Sequence, residues 1–250
     1  MSMTSVIILG MHRSGTSCLA GSLEPFGLYL GPVNKAAPHN KRGNQEHSKV
    51  VDINNRVLQA NGARWSSPPL NFPCHWPDSL RDERDRFLDN QSSQSIWGFK
   101  DPRTLLTLEG WLEGIPNAVL VGTFRNPISV AESLARRDGS SLQRGLGLWT
   151  LYNQRLTSFH RESPFPLISF DSSEPEYNKK IASIARSIGL HSEPIHAPFF
   201  ETALRNEDMM NAAKIGTVVE YVKNFRRQPK VPLRTCRVFW KLRRLERAVF

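Results

Sequence analysis

Apolar residues in this chain occur in short runs, separated by longer segments in which they recur at helical spacing. Four runs, rich in β-branched and aromatic residues, predict strands: 5–9, 95–100, 117–124 and 165–170. The segments with helical spacing predict helices: 16–27, 48–62, 78–91, 128–139 and 142–161. Strands that alternate with helices predict an α/β fold, a doubly wound and mostly parallel sheet flanked by helices.

The segment from 63 to 80 fits neither pattern. It holds four prolines and two tryptophans, which predicts a long irregular loop. Long loops in compact domains are often functional lids. Its aromatic side chains, Trp65, Phe72 and Trp76, either stack on a bound sugar or aromatic ring or pack the loop onto the body of the protein.

The first strand leads directly into the sequence GMHRSGTS. Gly10 and Gly15 have the spacing of a phosphate-binding loop, but Thr16 stands where a nucleoside-triphosphate loop has lysine. A glycine-flanked turn that opens a helix directs backbone N–H groups toward one point. We expect those groups to belong to Ser14, Gly15, Thr16 and Ser17. With the guanidinium of Arg13 beside them, they form a candidate site for a tetrahedral anion; an ordinary turn before a helix is the alternative.

Two further strand ends carry basic residues. Lys100 closes the second strand, and Arg125 follows the third, with Ser133 eight residues later on the next helix. Because ligands of such sheets bind at the carboxyl ends of the strands, we expect Lys100 to lie near the loop. Arg125 and Ser133 can converge on a second anion, separate from the first. A surface ion pair between Lys100 and Asp101 is the alternative for the lysine.

The charge is concentrated at the C-terminus. The net charge is +10, but residues 223–250 hold ten basic residues and one acidic residue, so the rest of the chain is nearly neutral. This distribution disfavours a nucleic-acid-binding body and divides the chain into a domain, 1–222, and a basic tail, 223–250. Apolar residues alternate with the tail's charges. They predict an amphipathic helix that lies on a membrane or a partner protein, or packs on the body.

Other classes of protein are disfavoured by the cysteines and the first residues. The three cysteines have no metal-binding spacing and no even pairing, so we expect neither a metal site nor a disulfide framework. The first residues lack the basic and long apolar regions of a signal peptide. We therefore expect a cytoplasmic protein in a reducing compartment.

Three motifs together carry a family resemblance. The sequences MHRSGTS, FRNPISVAES and GFKDPRT together resemble the sulfotransferases that use 3′-phosphoadenosine 5′-phosphosulfate (PAPS), bacterial members above all, over roughly residues 5–205; the order and spacing of the first two are specific. The resemblance implies a P-loop-containing fold and transfer of a sulfuryl group from PAPS to an acceptor hydroxyl without a metal ion. It implies that residues 13–17 bind the 5′-phosphosulfate and that Arg125 and Ser133 bind the 3′-phosphate.

The same resemblance suggests the catalytic residues. Arg13 and Lys100 would stabilise the charge that develops on the departing nucleotide. Glu46, in a Gly-x-x-Glu turn, would accept the acceptor's proton, with His47 and His39 as other candidates for the base. Cys18 stands where cytosolic relatives have an adenine-stacking tryptophan, so the adenine contacts are unassigned. The expected acceptor is a carbohydrate or another hydroxylated small metabolite.

Two other functions fit parts of the sequence. The chain could be a non-catalytic nucleotide-binding or interaction module of the same fold, tethered by its basic tail. It could also be a kinase with a degenerate loop, although the missing loop lysine argues against an ATP-dependent enzyme.

Overall fold

Four parallel strands form the sheet at the centre of the protein. The computed structural model describes residues 4–36, 42–91, 95–197, 199–200 and 232–249. The strands are β1 (Thr4–Leu9), β2 (Ile96–Lys100), β3 (Val119–Phe124) and β4 (Leu167–Ser169). Their order across the sheet is β2-β1-β3-β4, and each neighbouring pair is parallel. The predicted α/β fold and all four predicted strands are confirmed.

Helices connect the strands and cover both faces of the sheet. They are α1 (Thr16–Leu23), α2 (Ser48–Ala60), α3 (Asp78–Asp89), α4 (Thr104–Gly114), α5 (Pro127–Asp138), α6 (Leu142–Glu162), α7 (Glu174–Ser187) and α8 (Leu233–Val249). A 3-10 helix, Glu24–Phe26, follows α1. The helices α4 and α7 are additional to those that the apolar pattern predicted.

β1 is buried on both faces, which explains its continuous apolar sequence. Val6 and Ile8 belong to the core beneath α1 and α7, whereas Ile7 and Leu9 belong to the core beneath α2, α4 and α6. All four side chains are fully inaccessible to solvent. The sheet is therefore doubly wound, and β1 lies at its centre.

The long loop, residues 63–77, is packed onto the body of the protein. Trp76 is buried and contacts Trp111 of α4 edge to face. The hydroxyl of Tyr152 donates a hydrogen bond to the carbonyl of Trp65, at 2.8 Å. The guanidinium of Arg155 lies 3.8 Å from the centre of the Phe72 ring. Of the two interpretations of these aromatics, packing is the one that the structure shows.

The C-terminal helix α8 also packs on the body. Leu242 is fully buried, and Phe239 contacts both Phe124 of β3 and Trp149 of α6. The buried carboxylate of Glu246 accepts hydrogen bonds from the Ser169 amide and from Lys180. The apolar side of this helix is thus directed at the body. The division at 222/223 lies outside the described residues.

In the part of the chain that the structure describes, no helix combines the length and the hydropathy that crossing a membrane requires.

Candidate anion-binding and catalytic site

The register of the sheet brings three strand ends to one edge. Lys100, the last residue of β2, lies opposite Ile8 of β1. Gly122, near the end of β3, lies opposite Leu9, the last residue of β1. Lys100 thus ends β2, and the segments that follow β1 and β3 carry Arg13 and Arg125, as the sequence predicted.

The loop after β1 has the backbone of an anion-binding turn. Arg13 and Gly15 both have left-handed backbone angles, with φ of 66° and 86°. α1 begins at Thr16, so the N–H groups of Gly15, Thr16, Ser17 and Cys18 have no carbonyl partner within the helix. These groups and the helix dipole create positive potential at the loop.

One expected amide is engaged elsewhere. The Ser14 N–H donates to the Met11 carbonyl at 3.2 Å, so it closes the turn instead of joining the anion-directed group. A side chain is also excluded at Gly10, since a Cβ there would lie 2.7 Å from the Thr123 carbonyl oxygen. The close approach of β1 and β3 therefore shapes the loop.

Arg13 joins the two expected anion sites. Its Nε donates to Ser133 Oγ at 2.7 Å, and its backbone carbonyl accepts a hydrogen bond from Arg125 Nη1 at 3.4 Å. Burial, followed by the nearby charges of Arg137, Arg125 and Arg136, lowers the pKa of Arg13. The two expected anion sites are therefore adjacent parts of one cationic cluster.

The segment after β4 positions Arg125. Its Nε lies 3.8 Å from Asp171 Oδ1, and its guanidinium lies over the Phe170 ring, 5.3 Å from the ring centre. The Trp149 indole donates to the Arg125 carbonyl at 2.9 Å. Contacts from two elements thus fix both the backbone and the side chain of Arg125.

Lys100 and Glu46 form an ion pair beside the loop. Lys100 Nζ lies 2.8 Å from Glu46 Oε1 and donates to Ser17 Oγ at 3.2 Å. Burial lowers the pKa of Lys100, while Glu46 opposes that change. Only 1% of the Lys100 side chain is exposed, compared with 16% of the Glu46 side chain. The lysine therefore contacts the expected base and the anion loop, and the alternative of a surface pair with Asp101 is wrong.

Asp101 has different partners. Its buried carboxylate accepts hydrogen bonds from Asn54 Nδ2 at 2.8 Å and from Arg103 Nη1 at 2.7 Å. Asn54 Oδ1 in turn accepts from Thr107 and Trp111, at 2.7 and 2.8 Å. This network anchors the chain just after Lys100 and orients Arg103.

Arg103 is a half-buried cation close enough to the site to respond to the charge of Glu46, and the sequence interpretation did not single it out. Burial lowers its pKa, but Asp101 and then Glu46 oppose this effect, and the net change is upward. Arg103 is the arginine of the motif GFKDPRT and follows the strand that Lys100 ends, but the sequence interpretation gave a role only to the lysine.

The histidine candidates for the base have different surroundings. The ring nitrogen Nδ1 of His47 accepts a hydrogen bond from the Lys49 amide at 3.2 Å and so caps α2, and burial lowers the pKa of His47. The His47 ring lines an open cavity of about 660 Å³ between α2 and α3. His39 lies outside the described residues.

Comparisons with known proteins gave two structural similarities. Neither a protein-family model nor a curated protein sequence matches the chain at a significant level. The sulfotransferase domain of the Synechococcus PCC 7002 olefin synthase is 18% identical, with a TM-score of 0.49, over 97% of this chain and 88% of that chain. The sulfotransferase STF1 from Mycobacterium tuberculosis H37Rv is 13% identical, with a TM-score of 0.43, over 88% of this chain and 74% of that chain. Both of these structures are named as sulfotransferases.

Proposed function

We propose that this protein is a sulfotransferase that moves a sulfuryl group from PAPS to a hydroxyl group of a carbohydrate or small metabolite. One observation carries the proposal: cationic groups border the N-terminus of α1 on two sides. Arg13, Arg125 and Ser133 are in contact on one side, and Lys100 with Glu46 on the other. A donor with a 5′-phosphosulfate and a 3′-phosphate needs two anion sites, and sulfuryl transfer needs a base near one of them.

The donor set of the site suits such a ligand. The N–H groups of the first turn of α1 are hydrogen-bond donors for the phosphosulfate, whereas the Ser17 hydroxyl donates to the Asn44 carbonyl at 2.8 Å. Arg125 and Ser133, beside Arg13, are the proposed ligands of the 3′-phosphate, which distinguishes PAPS from other adenine nucleotides. The contact of Arg13 with both groups would make the two sites respond to one another.

The reaction forms a bond between the acceptor oxygen and sulfur and breaks the bond between sulfur and the bridging oxygen of the donor. Glu46 takes the proton from the acceptor hydroxyl, and Arg13 and Lys100 stabilise the charge on the departing phosphate. Lys100 now contacts both Glu46 and Ser17. Movement of its ammonium toward the donor would release the Glu46 carboxylate to act as a base.

The ion pair favours an enzyme over a non-catalytic module. Burying charged groups costs several kcal/mol per ion, as an order of magnitude, and often adds no net stability. A protein that only holds a nucleotide gains little from burying Lys100 against Glu46, whereas a transferase needs both groups. A non-catalytic module was also expected to be tethered to a membrane or partner by its basic tail. The apolar side of α8 packs on the body and is therefore not available for such a tether.

Calorimetric titration without magnesium tests donor binding. Adenosine 3′,5′-bisphosphate should bind far more tightly than 5′-AMP, and Arg125→Ala should reduce this preference roughly 10- to 100-fold, the usual range for a hydrogen bond to a charged group. Arg186→Ala is the matched control, because it removes one positive charge from the exposed end of α7. Equal binding of the two nucleotides to the unmodified protein would reject the proposed 3′-phosphate site.

Turnover with labelled PAPS and a panel of hydroxylated acceptors tests the chemistry. Glu46→Gln should lower kcat by about 10²- to 10⁴-fold, the usual contribution of a general base, with little change in bisphosphate affinity. Glu162→Gln on the exposed end of α6 is the control. Unchanged turnover in Glu46→Gln would direct the search for the base to His47 and His39.

A further inference from the structure

His12 is a buried imidazole within the anion loop, and the proposed chemistry does not use it. It lies between Met11 and Arg13, and only 9% of the residue is exposed. Its ring is 4.6 Å from the Trp65 ring of the long loop and 6.4 Å from the Tyr152 ring of α6, measured between ring centres. The position of this side chain is therefore fixed by packing from two elements.

The hydrogen-bonding capacity of His12 is incompletely used. Nε2 is buried and has no hydrogen-bond partner in the described part of the chain. Leaving a buried polar atom without a partner costs about 1–3 kcal/mol. A leucine or methionine would fill the same space without that cost, so packing alone does not account for a histidine here.

Positive charges on several elements act electrostatically on the imidazole. Lys100 is the last residue of β2, and Arg103 follows that strand. Arg137 lies in the last turn of α5, and Arg13 is the next residue in the loop. Burial, and then these four charges, lower the pKa of His12 well below its ordinary value. Tyr152 is neutral at physiological pH, because burial raises the pKa of its hydroxyl. Because burial and the nearby positive charges oppose protonation, the His12 imidazole is neutral in the unliganded protein.

We propose that His12 is a further anion-binding residue of this loop, neutral in the free protein and protonated when a multiply charged anion binds. An anion held by Arg13 and Lys100 offsets the positive potential that opposes the imidazolium. The proton comes from solvent and is bound at the imidazole. His12 then contributes one more positive charge to a site whose proposed ligand, resting on the function proposed above, is PAPS.

This coupling has a definite sign. A ligand whose binding is accompanied by proton uptake binds more tightly as the pH falls through the range between the pKa values of the bound and free histidine. A histidine that only fills space would give no such uptake. The coupling would also hold for a smaller anion, such as sulfate, because the cations and not the adenosine cause it.

NMR titration of protein labelled in its histidines tests the proposal directly. The His12 signal is assigned by its loss in His12→Gln, and its titration midpoint is compared without ligand, with adenosine 3′,5′-bisphosphate and with inorganic sulfate. We expect each anion to raise the midpoint by about one pH unit or more, a tenfold change in proton affinity. His160, which contacts Phe165 behind the sheet, is the internal control and should not shift.

A second measurement does not depend on any variant. Sulfate keeps the same charge from about pH 5 to 8, the range in which histidine normally titrates. Calorimetry of the unmodified protein with sulfate, in two buffers of different ionisation enthalpy, therefore reports proton uptake by the protein. If the His12 variant fails to fold, this uptake still tests the proposal.

The outcomes separate this inference from the proposed function. Bisphosphate binding with an unmoved His12 midpoint and no proton uptake would overturn the inference and leave the sulfotransferase proposal standing. Sulfate-dependent uptake together with equal binding of bisphosphate and 5′-AMP would support the inference and reject the PAPS site. If neither adenosine 3′,5′-bisphosphate nor sulfate binds, both the His12 inference and the proposed function are overturned.

Discussion

At the scale of single residues, the site depends on side chains that serve two partners at once. Arg13 contacts Ser133 through its side chain and Arg125 through its carbonyl, and Lys100 contacts both Glu46 and Ser17. A change at either residue therefore disturbs two contacts. The effect of a substitution at one of these residues should be measured alone and in combination with a substitution of its contact partner, since the effects of neighbours in one network do not add.

Gly15 allows a direct test of the loop backbone. Gly15→Ala should lower the affinity for adenosine 3′,5′-bisphosphate at least tenfold, because the new Cβ would clash with the Phe170 ring and the residue has φ of 86°. Backbone strain alone should cost about 1–3 kcal/mol of stability. Calorimetric binding and denaturant unfolding measure the two effects.

Gly189→Ala is the control for this substitution. Gly189 also has a left-handed angle, with φ of 80°, but apart from its own chain neighbours no described residue lies within 4 Å of the place that an alanine methyl group would take. It should lose stability through strain and keep its affinity. Equal affinities of both variants and the unmodified protein would contradict the importance that we assign to the loop conformation.

The sequence predicted the cationic residues of the site better than their pairings. A basic residue after a strand end is a local feature, and the parallel sheet then places it at a known edge, as for Lys100 and Arg125. The pairing of Lys100 with Glu46 joins residues 54 positions apart. It depends on how the segment before α2 crosses the strand ends, which no local pattern encodes. His12 was missed because a lone histidine beside arginine carries no signal until its burial is known.

At the scale of elements, the short strands and most of the amphipathic helices were predictable, whereas α4 and α7 were not. α4 is buried over most of its circumference, so its leucines and tryptophan form no one-sided stripe. The basic C-terminal helix gave three interpretations because its apolar residues suit a membrane, a partner or a protein core equally. Only the tertiary contacts of Leu242 and Phe239 decide between them.

Packing of α8 predicts a clear difference between two leucines of one helix. Leu242→Ala should destabilise the protein by about 2–5 kcal/mol, because it removes a fully buried side chain and leaves a cavity. Leu233→Ala, at a position that is 78% exposed, should change the free energy of unfolding by no more than about 0.5 kcal/mol. Denaturant unfolding compares the two, and equal effects would mean that α8 does not pack on the body in solution.

At the scale of the whole molecule, several ionisable groups make stability depend on pH. Burial lowers the pKa values of His12, His47 and His160, so the unfolded chain binds protons at these residues more readily than the folded chain does. Stability should therefore fall as the pH drops below about 6.5, the ordinary histidine pKa. The carboxylates of Glu83 and Glu113, whose pKa values are lowered by hydrogen bonds to basic side chains, contribute a second loss at lower pH.

Denaturant midpoints at about pH 7.5 and 5.5 measure the histidine contribution. The unmodified protein should be less stable at the lower pH, and His12→Gln should show a smaller difference between the two. An exposed histidine, His75, provides the control through His75→Gln, which should keep the full difference. A pH dependence that is the same in all three proteins would argue against a neutral, buried His12.

The contact between Glu246 and Ser169 has a consequence for how the protein is made. β4 is the edge strand of the sheet, and the amide that it turns outward is bonded by a carboxylate in α8. The ribosome adds residues at about 5–20 per second, so the segment between Ser169 and Leu233 takes roughly 3–13 seconds to synthesise. During that interval the newest strand has an open edge that other nascent chains could pair with. Slow translation or a premature stop ahead of α8 should therefore leave a chain that depends on chaperones, although every residue of the proposed site has already been made.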